Sequence, residues 1–391
     1  MADENLQRLF SSSKFEEATA ILKENPESFG TINKYSLSQV YSSLLKNNQF
    51  EIIDILIENQ IIVTDLYQYD SILNSIFAVL FKDLNENQES LLFLENFLQK
   101  LKNREDSIKN ETLIHIAISQ NANPIFIKKL IEAGCPANYK NNAEENYLHY
   151  SISKNGLKND QLLAYVNLFL EEGVDANAEN LVKKTPLYYA VENNKIEVVE
   201  TLINNGAQAN HQNKEGESVF YHCIVNKRNY EMLVKLCEFE SIDFEKVTNQ
   251  KATILFSFLK NASESELKTF DSLLDQNPDF FQESLFYSMR TPFDLLPGIP
   301  FTFFEKAIET GKISTEDVDN DNNTLLHKVC AYELNNDQNK ARELYKKVTF
   351  LLSKNADTNA TNNNDKTPMQ LALTDNLKDK IVALLLNSKS E

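Results

Sequence analysis

The sequence is poor in the residues that make tight turns. Glycine occurs 8 times and proline 9 times among 391 residues, and tryptophan is absent. A β-sandwich or β-barrel needs a turn every few residues, so this scarcity disfavours all-β folds and favours helices. Hydrophobic residues still make up 42% of the chain, which is enough to bury a large core and excludes wholesale disorder.

Cysteine is also sparse, and its spacing carries no motif. The four cysteines are Cys135, Cys223, Cys237 and Cys330, and no two form a C-x-x-C pair. Their separations do not suggest a disulfide framework or a zinc site. We expect buried thiols in a reducing compartment.

No apolar run approaches the roughly 18 residues of a membrane span, so no membrane segment is predicted. The first five residues are acidic and lead into a mixed helix, without the basic stretch and apolar core of a secretory signal. We therefore expect a cytoplasmic protein. Export by a signal without these features stays open.

Acidic residues outnumber basic ones by 57 to 39, which gives a net charge of −18. Phosphate backbones and anionic membrane surfaces would be repelled, so nucleic-acid and membrane binding are not expected. A basic protein partner would be attracted. The alternative is that the acidity only keeps a long chain soluble. Lysine and asparagine are abundant and arginine is rare, a bias that suggests an AT-rich bacterial genome.

The chain contains an internal repeat with two marks. The first mark is clearest at Thr185, where the sequence is T-P-L-Y-Y-A, and at Thr367, where it is T-P-M-Q-L-A. Related segments start at Thr112, Asn146, Ser218 and Thr324, and weaker ones at Thr253 and Thr291. Successive starts lie 33 to 43 residues apart. The second mark is a glycine or asparagine followed four residues later by asparagine, eight residues before the next start. It occurs at Gly134, Gly173, Gly206 and Asn355.

These two marks in fixed register resemble the ankyrin repeat, whose signature is T-P-L-H-x-A followed by L-L-x-x-G-A-D-x-N. The resemblance implies an all-α solenoid of about eight to ten stacked helix–turn–helix units. It is good over residues 111–236 and 312–391, degraded over 237–311, and only structural over 1–110. We predict these four segments as divergent N-terminal repeats, well-formed repeats, degraded repeats with a Phe/Pro-rich insertion, and C-terminal repeats with a cap.

Each mark has a local physical reason. Thr185 can cap a helix whose first residue is Pro186, and Gly173 can adopt the left-handed conformation that ends a helix. The apolar residues of 196–203 form the buried stripe of a second helix, which neighbouring units must cover. The phenylalanine-rich stretch 278–304 either packs against its own solenoid or forms an exposed patch for a partner. Packing is favoured, because aromatic residues usually lie in the core.

No residue is predicted to be catalytic, to bind a cofactor or to ligate a metal. His115, His149 and His327 stand at the histidine of the repeat, which the resemblance implies is structural; we expect His222 to be packed and His211 to lie on a hairpin tip. Residues 317–321 resemble a calcium loop, but Asn322 and Lys328 replace the glycine and glutamate that such a loop requires. The nucleotide-binding and hydrolase motifs are absent.

The resemblance implies a concave face, built by hairpin tips and first helices, that binds a protein. The register predicts a set of partner-facing residues: Lys140, Asn142, Glu145, Lys154, Glu179, Leu181, Val182, Lys184, Glu192, Asn193, His211, Gln212, Lys214, Glu215 and Glu217. Leu181 and Val182 contact either the neighbouring hairpin or a partner, since solvation gives no reason for apolar side chains on a hairpin tip.

The function expected is therefore non-catalytic protein binding by a chain that is monomeric when unbound. It would sequester or scaffold one partner, in the sharpest version as an acidic immunity protein that inhibits a basic toxin. One alternative is a secreted bacterial effector that binds a host protein. Another is an enzyme with a cryptic site in residues 237–311.

Overall fold

A computed structural model describes residues 3–69, 75–108, 110–285 and 290–388 of the chain. The chain divides into two compact units, the first made of residues 1–181 and 200–207 and the second of residues 182–199 and 208–391. The described residues are mainly helical, and their only strand-like pairs are isolated bridges such as Gln212–Ser218 and Val318–Thr324. None of the described helices has the length and apolar character needed to cross a bilayer.

The helices of residues 3–181 are α1 Asp3–Ser11, α2 Phe15–Glu24, α3 Leu37–Lys46, α4 Phe50–Glu58, α5 Leu80–Asp83, α6 Gln88–Lys100, α7 Leu113–Ser119, α8 Pro124–Glu132, α9 Tyr147–Ser153 and α10 Asn159–Glu171. Those that follow are α11 Pro186–Glu192, α12 Ile196–Asn204, α13 Val219–Tyr221, α14 Tyr230–Cys237, α15 Ile254–Lys260, α16 Leu267–Asp275, α17 Pro292–Leu295, α18 Phe301–Glu309, α19 Leu325–Ala331, α20 Gln338–Ser353, α21 Pro368–Ala372 and α22 Asp379–Asn387. α13 continues as a π-helix over His222–Lys227.

The helices form pairs, as the predicted all-α solenoid of helix–turn–helix units requires, and this fold class is confirmed. Within the described residues there are eleven pairs, slightly more than the eight to ten units expected. The difference arises in residues 1–110, where α1 to α6 make three pairs that carry no recognisable starting mark. Helices of neighbouring pairs pack side by side, as α14, α16, α18 and α20 do in the second unit.

Every predicted repeat start acts locally as expected, because each one is the N-cap residue of a helix. The Thr185 hydroxyl accepts a hydrogen bond from the Tyr188 amide, and Pro186 occupies the first helical position. Thr324 and His327 form a reciprocal capping box, in which each side chain bonds the other residue's backbone amide. One such cap contributes about 1 kcal/mol to helix stability.

The second mark ends helices in the left-handed conformation. Gly173 has φ 79°, and Asn355, which replaces glycine after α20, has φ 61°. Asparagine tolerates this region better than most residues because its short side chain bonds locally. The substitution therefore preserves the helix end.

Most of the described phenylalanines of the stretch 278–304 are packed. Phe280, Phe293, Phe303 and Phe304 are buried, and the Phe303 ring lies 4.8 Å from that of Phe270. Phe281 is 38% exposed, and Phe301 is half-buried. The described residues of 237–311 form the pairs α15–α16 and α17–α18, so they continue the series of helix pairs.

A buried lysine fixes the Pro-Gly turn that follows α17. Lys347 on α20 donates from Nζ to the carbonyl oxygens of Pro297 at 2.7 Å and Ile299 at 2.5 Å, and its ammonium lies 5.2 Å from the Phe304 ring centre. Burial lowers the pKa of Lys347 to about 8. The lysine thus satisfies carbonyl groups that the short helix leaves without partners.

Candidate partner-binding surface

The hairpin tips share one local geometry, set by a polar side chain at the start of each tip. In the first unit, Asn141 Oδ1 accepts hydrogen bonds from the amides of Ala143 at 2.8 Å and Glu145 at 3.0 Å. In the second unit, Asn213 Oδ1 accepts from Glu215 and Glu217, both at 2.9 Å. Asn362 and Asp319 do the same on later tips. This side-chain turn orders the tip without any partner.

Backbone hydrogen bonds tie successive tips together. In the first unit the Leu181 amide donates to the Ala143 carbonyl at 3.0 Å. In the second unit the Lys214 amide donates to Val182 and the Asn249 amide to Glu215, both at 2.9 Å. The tips therefore satisfy part of their own backbone and leave side chains for other contacts.

One tip requires glycine for a second reason. Gly216 has φ 77°, and a Cβ atom built on it would lie 2.7 Å from the Asn249 amide nitrogen. The close approach of the two tips and the left-handed backbone both exclude a side chain at this position.

In the first unit, the predicted partner-facing residues divide by exposure. Lys140, Asn142 and Leu181 are exposed, whereas Glu145, Lys154 and Glu179 are half-buried. Lys140 pairs with Glu144 at 3.7 Å. The Leu181 side chain is 62% exposed, so bonding of its amide to the neighbouring hairpin does not cover it.

In the second unit, the exposed predicted residues are Val182, Asn193, Lys214 and Glu215. The half-buried ones are Lys184, Glu192, His211, Gln212 and Glu217, and they make internal contacts. Lys184 pairs with Glu192 at 2.7 Å, and the Gln212 amide group donates to the Gly216 carbonyl at 2.6 Å. The exposed residues are therefore the ones best placed for a partner, and their role remains a prediction.

A buried polar network lies beneath one of these tips. The Tyr188 hydroxyl lies 2.9 Å from His222 Nδ1 and 3.2 Å from a Glu217 carboxylate oxygen, and Asn213 donates to it at 3.1 Å. Burial lowers the pKa of His222 to about 4, so the ring is neutral at pH 7. His222 is buried, as predicted. Its Nε2 atom has no hydrogen-bond partner among the described residues.

A π-helix begins at this histidine, which stands one residue beyond its repeat position. The left-handed residue Arg228 follows Ser218 by ten residues, whereas Asn194 follows Thr185 by nine. A π-helix absorbs one additional residue within a helix. Sequence reasoning missed it, because only the distance from Ser218 to the left-handed residue Arg228 reveals the additional residue.

The other helix-capping histidines have the structural role that the resemblance implied. His115 Nδ1 lies 3.0 Å from the Thr112 hydroxyl, and His327 Nε2 lies 3.0 Å from the Lys366 carbonyl oxygen of the next repeat. Burial lowers the pKa of His115 to about 4. These rings stabilise helix starts and the contact between repeats.

The thiols are poor nucleophiles. Burial raises the pKa of Cys135 and of Cys223 to about 12, so almost no thiolate is present at neutral pH. In the described part of the chain, no cluster of three or more histidine, cysteine, aspartate or glutamate side chains could hold a metal ion.

A groove that the sequence did not predict lies beside α17, α19 and α21. Its volume is about 480 Å³, and Arg290, Asp294, Lys328 and Glu333 contribute to its wall. The Lys328 ammonium lies 2.5 Å from both Asp294 and Asp319. The groove therefore presents charges of both signs, and the charge of Lys328 is largely neutralised by the two aspartates.

The chain is similar to known proteins in two respects, and the first of them agrees with this fold. Residues 157–248 match the family model for ankyrin repeats in three copies. Among solved structures, the chain is similar to the ankyrin repeat domain of Bcl-3, described as a unique member of the IkappaB protein family. The identity is 19% and the TM-score 0.48, over 62% of this chain and 98% of that one. No curated protein sequence matches this chain.

Ankyrin repeats indicate a protein–protein interaction module and generally serve as non-catalytic scaffolds. The helix pairs, their caps and the matched residues agree on one assignment. Residues 157–248 of the chain are therefore ankyrin repeats, and the described helix pairs before and after them have the same helix–turn–helix form.

Proposed function

We propose that the chain holds a basic protein partner through exposed side chains of its hairpin tips and first helices, and so sequesters or scaffolds that partner. The observation that supports this most is the order of the tips before any binding. Asx-type turns and bonds between tips fix their backbones, while Lys214 and Glu215 stay exposed. Binding to a surface that is already ordered costs less conformational entropy.

The charge supports a basic partner. The net charge of −18 would attract a cationic protein over a distance and speed its association. Glu215 contributes to this on a tip, because it is exposed and makes no ion pair with the described residues. Binding of this kind weakens as salt rises, since salt screens exposed charges.

A narrower role as an immunity protein for a basic toxin would use the same surface and the same charge. A secreted effector that binds a host protein would also use it, so the identity of the partner distinguishes these roles. We expect the protein to be monomeric and cytoplasmic in the first case.

The test is affinity capture on the full chain, followed by purification of the captured protein and a binding titration. The wild type should bind it saturably, with an affinity that falls steeply as salt rises. The variant Val182→Ser/Lys214→Ala/Glu215→Ala should lose at least about tenfold in affinity if these tip residues include central contacts. Lys380→Ala, at an exposed position on α22, is the matched control. Equal binding by both variants, or the absence of any saturable partner, would contradict the proposal.

A further inference from the structure

An exposed surface of mixed apolar and acidic character lies on the segments that precede α17 and α19. We define this acidic–apolar surface by residues 281–285 and 316–320. Phe281, Leu285 and Val318 are 38%, 49% and 40% exposed, and Glu283 and Glu316 are exposed beside them. It lies outside the residues that the repeat register predicted as partner-facing.

The first segment turns alternate side chains to solvent. Ser284 is buried, its amide donates to the Arg290 carbonyl at 2.8 Å, and its hydroxyl donates to the Lys251 carbonyl at 3.2 Å. Because successive side chains of an extended segment point to opposite sides, burial of Ser284 directs Glu283 and Leu285 outward together.

The second segment follows the same alternation. Asp319 turns inward and pairs with Lys328 at 2.5 Å, so Val318 and Asn320 face outward. The Asn320 amide group lies 3.4 Å from a Glu283 carboxylate oxygen and joins the two segments. Leu285 and Val318 therefore belong to one surface.

This surface is held in place from within. The Leu285 amide donates to the Lys251 carbonyl at 3.0 Å, and the Phe281 ring lies 4.9 Å from the buried Phe293 ring. Its apolar side chains are thus presented at fixed positions, without the ordering cost of a mobile loop.

The charge of the surface selects one kind of occupant. Glu283 and Glu316 make no ion pair with the described residues. Two basic residues, Lys251 and Arg290, adjoin the first segment through their backbone carbonyls. Glutamates that lie between exposed apolar side chains complement lysine or arginine that lie between apolar side chains. They repel phosphate backbones and anionic lipid headgroups.

We propose that the acidic–apolar surface binds an extended segment of the protein partner in which apolar side chains alternate with lysine or arginine. This inference rests on the proposed function and specifies a part of the partner. The apolar side chains of the segment would contact Leu285 and Val318, while its cations would pair with Glu283 and Glu316.

The probe is a blocked, labelled peptide of about ten residues with strictly alternating lysine and valine, a length typical of one strand. Its control is the isomer with all lysines in one half and all valines in the other. Binding to the full chain is measured by fluorescence anisotropy at several salt concentrations. The variants are Leu285→Ser/Val318→Ser and Glu283→Gln/Glu316→Gln. Leu92→Ser, on α6 of the first unit, is the control, because that leucine is also exposed and was not predicted to face a partner.

The alternating peptide should bind saturably and the block isomer at least about tenfold more weakly, since only alternation matches both kinds of side chain. The double serine variant should lose about tenfold or more. The double glutamine variant should also bind more weakly and show a flatter salt dependence. Leu92→Ser should bind like the wild type, and circular dichroism should show all variants folded.

Three results would overturn the proposal: no binding of the alternating peptide, equal binding of its isomer, or wild-type affinity in the folded double serine variant. Failure here is separable from failure of the proposed function. If the captured partner is lost by the Val182/Lys214/Glu215 variant but kept by the double serine variant, the proposed function stands and this inference fails.

Discussion

Two regions of the second unit use the same repeat with different interiors. The repeat that begins at Thr324 has His327 in its capping box, with a bond onward to the next repeat. The degraded repeats that begin at Thr253 and Thr291 keep the threonine cap but carry Phe256 and Asp294 at the equivalent place. Helix starts therefore survive when the signature residue is lost, because the cap is a local bond and the interior can be filled with aromatic side chains.

The largest effect should come from the aromatic interior of the degraded region. Phe303→Ala should lower the free energy of unfolding by about 3–5 kcal/mol, because it removes a fully buried ring. Phe281→Ala is the control, since that ring is partly exposed and should cost far less. Urea unfolding followed by circular dichroism measures both, and equal losses would show that the aromatic core does not support these repeats.

The second largest effect should come from Lys347, whose ammonium bonds the backbone carbonyls that follow α17. Lys347→Met should cost about 2–3 kcal/mol, because the carbonyls of Pro297 and Ile299 lose a buried donor. Lys346→Met, an exposed neighbour on the same helix, should be within about 0.5 kcal/mol of the wild type. Hydrogen exchange should also rise locally around residues 296–299 in the Lys347 variant. A Lys347→Met variant with the stability of the wild type would show that water can replace the ammonium.

The third prediction is that repeats with a buried histidine lose more stability in acid than repeats without one. Burial holds the folded-state pKa of His115 near 4, below the ordinary value of 6.5. Between these values the unfolded chain binds a proton that the folded chain does not, so stability falls as pH falls from about 6.5 to 4. The contribution of one such histidine is about 1–3 kcal/mol.

His115→Gln tests this directly. The last repeat already uses a threonine–glutamine box, formed by Thr367 and Gln370, so the variant should keep its cap at pH 7. Its unfolding midpoint should change less than that of the wild type between pH 6.5 and 4. Identical acid profiles would mean that this histidine does not couple protonation to folding.

The smallest effects are expected at two glycines that differ in the space around them. Gly216→Ala should cost about 1–3 kcal/mol, since its Cβ would approach the Asn249 amide in addition to the left-handed strain. Gly173→Ala should cost about 1 kcal/mol, because strain alone applies where nothing lies within 4 Å. Thermal unfolding measures the difference, and equal costs would mean that the Gly216 tip relaxes freely.

The sequence predicted the repeat and its chemistry well where the signals are local. The caps at Thr185 and Thr324 were readable because the bonded atoms lie within three residues of each other. The candidate surface was predicted less completely. Leu181 and Lys214 are exposed as a partner-facing residue must be, whereas Gln212 and Glu217 make contacts within the protein. Part of the acidic–apolar surface lies in the stretch 278–304, where an exposed patch was the less favoured alternative, and residues 316–320 were not predicted to face a partner.

The sequence by itself determined where helices begin and end, because these depend on side chains and backbone groups a few residues apart. Only the tertiary structure decided which side chains remain exposed. Phe280 is buried and the adjacent Phe281 is not, and Lys347 is buried beside the exposed Lys346. Such outcomes depend on contacts with chain segments about fifty residues away, as between Lys347 and Pro297, and no local pattern encodes them.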